Sequence, residues 1–105
     1  MPLGKILKQH GFYVKTATSR TEALHSLESD TFDALLCDLN FPEPSDGFAV
    51  IAAMRQARPR SVVIVITGYP GLESAIEGIR HKVDDYMVKP IEYDALITKL
   101  QTLLR

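Results

Sequence analysis

Five consecutive β-branched residues, Val62-Val63-Ile64-Val65-Ile66, narrow the folding options of this chain more than any other feature. Branching at Cβ disfavours helix and suits a pleated strand. The run has no polar alternation, so the strand it forms must be covered on both faces. A second unbroken apolar run, Ala34-Leu35-Leu36-Cys37, makes the same demand. Strands buried on both faces occur where helices cross over between parallel neighbours, so the rest of the sequence has to supply helices.

It does. Leu3, Ile6, Leu7 and His10 fall on one helical stripe that Gly11 ends. Residues 12–17 alternate apolar and polar, as a half-buried edge strand would. Ser19-Arg20-Thr21-Glu22 fits a capping box opening a helix with Ala23, Leu24 and Leu27 on its apolar side. After the turn-rich stretch Asn40-Phe41-Pro42-Glu43-Pro44-Ser45-Asp46-Gly47 comes a helix carrying Val50, Ile51, Met54 and Ala57, which Pro59 stops. Leu72, Ala75, Ile76 and Ile79 predict another helix, Tyr86-Met87-Val88 a short strand, and Tyr93 to Leu104 a last amphipathic helix. The order α-β-α-β-α-β-α-β-α implies right-handed crossovers and one parallel sheet with helices on both faces.

At 105 residues the chain is one domain, 1–105, able to bury about two-thirds of its unfolded surface without staples. Twelve Lys and Arg against thirteen Asp and Glu leave a net charge of −1, so direct nucleic-acid binding is not expected. The single Cys37 excludes an internal disulfide framework. No apolar run approaches the roughly 20 residues of a membrane span. A cytoplasmic protein without membrane contact is the expectation.

In an open parallel sheet, ligands sit beyond the carboxyl ends of the strands. The strand-end residues are Asp38, Thr67 and Lys89, the second 29 positions after the first and the third 22 after the second. A carboxylate, a hydroxyl and an ammonium thus converge on one rim. A carboxylate can act as nucleophile toward a phosphoryl group, while an ammonium and a hydroxyl offset the charge spread over its oxygens. No glycine-rich phosphate loop follows any strand, which disfavours a nucleotide binder.

With these residues in place, the chain resembles the receiver domain of two-component response regulators. The matching stretches are Asp33-Ala34-Leu35-Leu36-Cys37-Asp38-Leu39 with Pro42 beyond, Val63-Ile64-Val65-Ile66-Thr67-Gly68, and Asp84-Asp85-Tyr86-Met87-Val88-Lys89-Pro90. The resemblance implies a flavodoxin-like doubly wound fold. It implies that Asp38 is the phosphoacceptor in a phosphorelay, served by a sensor histidine kinase or phosphotransfer protein. Lys89 would pair with the phosphoryl oxygens, and Thr67 and Tyr86 would rearrange to signal to an output protein or domain. Such a domain catalyses its own phosphorylation and dephosphorylation and is not otherwise an enzyme. Lys89-Pro90 is expected to be cis. Asp38 and the backbone carbonyl of Asn40 match positions that bind Mg²⁺, and Asn40 and Tyr69 match positions that influence dephosphorylation.

Two departures follow from the same resemblance. Gly47 lies nine residues after Asp38, one more than the family's usual spacing. More important, the family's first strand, its acidic pair and the front of the first helix have no counterpart before Gly11, so the expectation is a receiver incomplete at its N-terminus. Mg²⁺ binding is therefore expected to be weak or absent. Asp84-Asp85 cannot stand in, since the start of its strand is about 13–17 Å from the rim. In the family's strand order the missing strand is central. The flanking strands could close up, a second copy could fill the gap, or the domain could be only marginally stable; an oligomer is the favoured outcome. A phosphorylation-independent interaction or dimerisation module is the alternative function.

The remaining candidates read as structure: Cys37 as a small buried hydrophobe, Asp84-Asp85 as a solvated turn, and Arg55, Arg58 and Arg60 as a solvated helix end. His10, His25 and His81 show no metal-ligand spacing, and Tyr69-Pro70-Gly71 reads equally as a signalling surface or a plain connection.

Overall fold

The computed structural model describes residues 3–39, 44–68 and 83–105, with the backbone alone at 44 and 45. Its elements are α1 (Leu3–Gln9), α2 (Arg20–Ser29), β1 (Ala34–Asp38), α3 (Pro44–Ala57), β2 (Val62–Thr67), β3 (Asp85–Val88) and α4 (Tyr93–Leu103). The strands form one parallel sheet in the order β1-β2-β3. β2 is central, as five β-branched residues without polar alternation require. Val62, Ile64 and Ile66 face a cluster built with Leu3 and Leu7 of α1 and Leu96, Ile97 and Leu100 of α4. Val63 and Val65 face the opposite cluster, with Cys37 of β1 and Ile51 and Met54 of α3. No residue of β2 is more than 6% exposed. At about 1.5–3 kcal/mol for each large aliphatic side chain buried, this strand anchors both layers.

Local signals set the ends of the helices. Gly11, at φ 89°, closes α1: Phe12 N–H donates to Leu7 O (3.2 Å) and Gly11 N–H to Lys8 O (3.1 Å), a Schellman pattern that needs a left-handed residue. Ser19 caps α2, its hydroxyl accepting from Glu22 N–H at 3.1 Å. The Glu22 carboxylate reaches back to Thr18 N–H at 3.3 Å, one residue earlier than in the usual capping box. Lys89-Pro90 is cis.

Two expectations need correction. Residues 12–17 form no strand. The alternation is there, with Phe12 and Val14 half-buried and Tyr13 and Lys15 exposed, but a strand exists only through ladder partners and among the described residues this segment has none. It stands apart from β1 across a cleft of about 530 Å³, so the two flanks have not closed up. The second correction concerns Asp84 and Arg55, read above as solvated. Asp84 Oδ2 accepts from Val63 N–H (2.7 Å) and from Arg55 Nη2 (3.0 Å), and Arg55 Nη1 donates to Ser61 O (2.5 Å) and Pro59 O (3.3 Å). This clasp ties the end of α3 to the starts of β2 and β3. Arg58, in contrast, meets Asp33 in an exposed pair, and Asp85 pairs with Lys99 of α4. The helix expected over residues 72–79 lies outside the described residues.

Candidate functional site

Parallel register determines which side chains meet at the carboxyl rim. Asp38 lies opposite Ile66, and Thr67 opposite Val88. The ladder runs one residue past the strands on both sides of β2: Leu39 N–H donates to Ile66 O (2.9 Å) and Lys89 N–H to Thr67 O (2.8 Å). The backbones carrying Asp38, Thr67 and Lys89 are therefore locked side by side. Asp38 and Lys89 stem from strands two spacings apart, about 9–10 Å, and the length of the lysine side chain closes that distance. Lys89 Nζ donates to Asp38 Oδ2 at 2.5 Å. Both side chains are 31% exposed, so the pair can be reached from solvent, whereas Thr67 is buried.

Tyr86 sits on β3 with its ring against the Cys37, Leu39, Ile51 and Met54 cluster. Its hydroxyl is buried without a hydrogen-bond partner among the described residues. Cys37, next to Asp38, is 4% exposed; burial, and secondarily the Asp38 carboxylate, pushes its thiol up to about 12, which suits a packing residue and not a nucleophile. His10 closes α1 with Nδ1 on Ile6 O at 2.9 Å.

Asn40, Tyr69, the Tyr69-Pro70-Gly71 turn and His81 lie outside the described residues. Asp46, in the first turn of α3, is 3.9 Å from Arg20. Among the described residues no three His, Cys, Asp or Glu side chains gather to hold a cation. Mg²⁺ demands near-octahedral oxygen ligation. Among the described residues, the Asp38 carboxylate, engaged by the Lys89 ammonium, does not by itself supply that ligation.

Sequence reasoning read Gly47 for its spacing from Asp38 and missed its packing against β1. A Cβ there would stand 2.9 Å from Cys37 Sγ and 3.4 Å from Leu39 Cδ2, so the missing side chain lets α3 lie against β1 directly behind Asp38. A glycine inside a helical pattern was the available signal. The pairing of Arg55 with Asp84, 29 residues apart, left none.

Comparison with known proteins agrees with this geometry. The model of the response regulator receiver domain family matches residues 1–101. The transcriptional regulatory protein ZraR of Escherichia coli is 31% identical over 102 residues; these are 97% of this chain and 23% of that protein, so the chain spans about a quarter of its relative. A CheY-like receiver domain protein from Methanospirillum hungatei superposes with a TM-score of 0.88 at 28% identity, over 97% of this chain and 81% of that one. A Burkholderia pseudomallei response regulator, whose structure has a phosphorylated aspartic acid, superposes at 0.84 with 26% identity, over 97% of this chain and 59% of that one. A strand-end carboxylate bonded to a strand-end lysine, on a parallel sheet that follows this family model along nearly its whole length, makes the chain a member of the response regulator receiver domain family of two-component systems.

Proposed function

We propose that Asp38 accepts a phosphoryl group from the phosphohistidine of a sensor kinase or phosphotransfer protein. The observation carrying this reading is the Lys89 Nζ contact on Asp38 Oδ2 at an accessible rim. A carboxylate oxygen of Asp38 attacks phosphorus, the P–N bond to the donor imidazole breaks, and the imidazole departs with a proton. Lys89 stays beside the oxygens as charge builds on them. The added −1.5 to −2 charge acts on Thr67 and Tyr86, which change position and alter the surface offered to an output protein or domain. The phosphorylated aspartate of the Burkholderia relative supports this assignment. The domain promotes its own phosphorylation and dephosphorylation and turns over no separate substrate. A cytoplasmic location suits such partners, and among the described residues no helix is long and apolar enough to cross a membrane.

Incubation with a small acyl phosphate and Mg²⁺, read by intact-protein mass spectrometry, tests the proposal. A gain of about 80 Da, one HPO₃ unit, is expected and should vanish in Asp38→Asn. A gain that persists in that variant refutes the assignment. Because one carboxylate at this rim is already paired, Mg²⁺ should bind only in the millimolar range or weaker; sub-millimolar affinity in an NMR titration contradicts this. The lack of an acidic cluster among the described residues also favours a second reading, a receiver that works by protein contact without phosphorylation. No mass gain at any Mg²⁺ concentration would select it.

A further inference from the structure

Two kinds of neighbour hold β1 in place. The ladder to β2 pairs residues 34–38 with 62–66, and Leu39 N–H adds a bond to Ile66 O at 2.9 Å. Ladder bonds run within the sheet, so they fix register and spacing. How high β1 rides across the sheet is set by what packs against its faces. Among the described residues β2 is its one strand neighbour, which leaves the faces to decide.

Cys37 and Leu39 are two apart, so their side chains share one face of β1; both are buried in the cluster with Ile51 and Met54 of α3. Gly47, in the first turn of α3, fits the notch between them. A Cβ there would stand 2.9 Å from Cys37 Sγ, 3.4 Å from Leu39 Cδ2 and 3.9 Å from the carbonyl oxygen of Asp38. Real Cβ atoms do not approach another heavy atom to 2.9 Å. The thiol is 4% exposed, with Val63 and Val65 closing the cluster, and has little room to retreat. The residue whose backbone bridges the two walls of the notch is Asp38.

Asp38 offers its carboxylate to Lys89 Nζ, 2.5 Å from Oδ2, and Thr67 lies one position beyond Ile66, the residue paired with Asp38. A nucleophilic carboxylate tolerates little displacement: about 1 Å of misplacement costs on the order of 100-fold in rate. We propose that Gly47 is a positioning residue for Asp38. Its bare Cα lets α3 set the height of the carboxylate against Lys89 and Thr67. This rests on the reading of Asp38 as the phosphoacceptor. A Cβ at residue 47 pushes on Cys37, the end of β1 moves away from α3, and the carboxylate leaves its place beside the ammonium. The push passes through the thiol, so a smaller residue 37 relieves it.

Wild type, Gly47→Ala, Cys37→Ala and the double variant test this with two readouts. Initial rates of mass gain from a small acyl phosphate and Mg²⁺ are compared per folded molecule, the folded fraction coming from circular dichroism. Gly47→Ala should be slower on the order of tenfold or more, with Cys37→Ala and the double variant within about threefold of wild type. The NMR resonance of the Asp38 carboxyl carbon should move in Gly47→Ala and return in the double variant, a readout that needs no phosphoryl transfer. A wild-type rate in Gly47→Ala overturns the proposal. So does a loss that persists in the double variant, which would place the effect outside the Cys37 contact. Should Gly47→Ala not fold, Cys37→Val, which thickens the same wall, takes its place with the same expectation. If wild type gains no mass, the reading of Asp38 as acceptor fails, and the resonance alone decides whether Gly47 places the carboxylate: unmoved in Gly47→Ala, it overturns the proposal.

Discussion

Cys37 and Asp38 are neighbours on one strand with opposite surroundings, because successive side chains of a strand point to opposite faces. The carboxylate reaches the rim and a lysine, while the thiol is sealed under α3. Burial, with a smaller contribution from Asp38, raises the thiol from its ordinary 9.0 to about 12. In the unfolded chain it loses its proton near 9. The stabilisation from keeping it neutral is thus fully present below pH 9 and is lost as pH rises from 9 toward 12, on the order of 4 kcal/mol over the whole interval. The urea midpoint of the wild type should therefore fall more steeply between pH 9 and 11 than that of Cys37→Ala. Parallel slopes would show that the thiol titrates alike in the folded and unfolded chain.

Helix α3 rests on β1 at one point of close approach, Gly47 against Cys37 Sγ. Two effects compete in Gly47→Ala. Alanine gains about 1 kcal/mol of helix propensity, whereas a Cβ 2.9 Å from sulfur forces a shift that costs about 1–3 kcal/mol in a packed core. The clash should win, leaving a net loss of stability in chemical denaturation. In a Cys37→Ala background the same substitution should be neutral or stabilising, a coupling of at least about 1 kcal/mol. Additive effects would mean that the helix tilts freely and that the contact does not locate it.

The two edges of the sheet divide the work of the whole molecule. The carboxyl edge carries the accessible Asp38–Lys89 pair, and the opposite edge carries the Arg55–Asp84 clasp. Removing the Asp84 carboxylate strips a charged acceptor from the N–H of Val63, a residue with no exposed surface, and takes one carboxylate contact from Arg55. Asp84→Ala should cost about 1.5–3 kcal/mol. Asp33→Ala, which breaks a pair whose side chains are 75% and 42% exposed, should cost no more than about 1 kcal/mol. Urea denaturation of the two variants side by side checks the contrast; equal losses would show the clasp to be no stronger than a surface ion pair.

The unbroken apolar runs specified buried parallel strands, and their alternation with amphipathic stripes specified the layers. Together they placed residues 38, 67 and 89 at strand ends before any coordinates, because strand direction and period are local properties of the chain. Residues 12–17 had the alternation of a strand but not its partner, and hydrogen-bond pairing is decided by what lies alongside in space. The same holds for the Asp38–Lys89 contact distance, the Gly47–Cys37 approach, the Arg55–Asp84 clasp and the cleft beside β1. Each joins segments distant in sequence, and only packing of the whole chain brings them together.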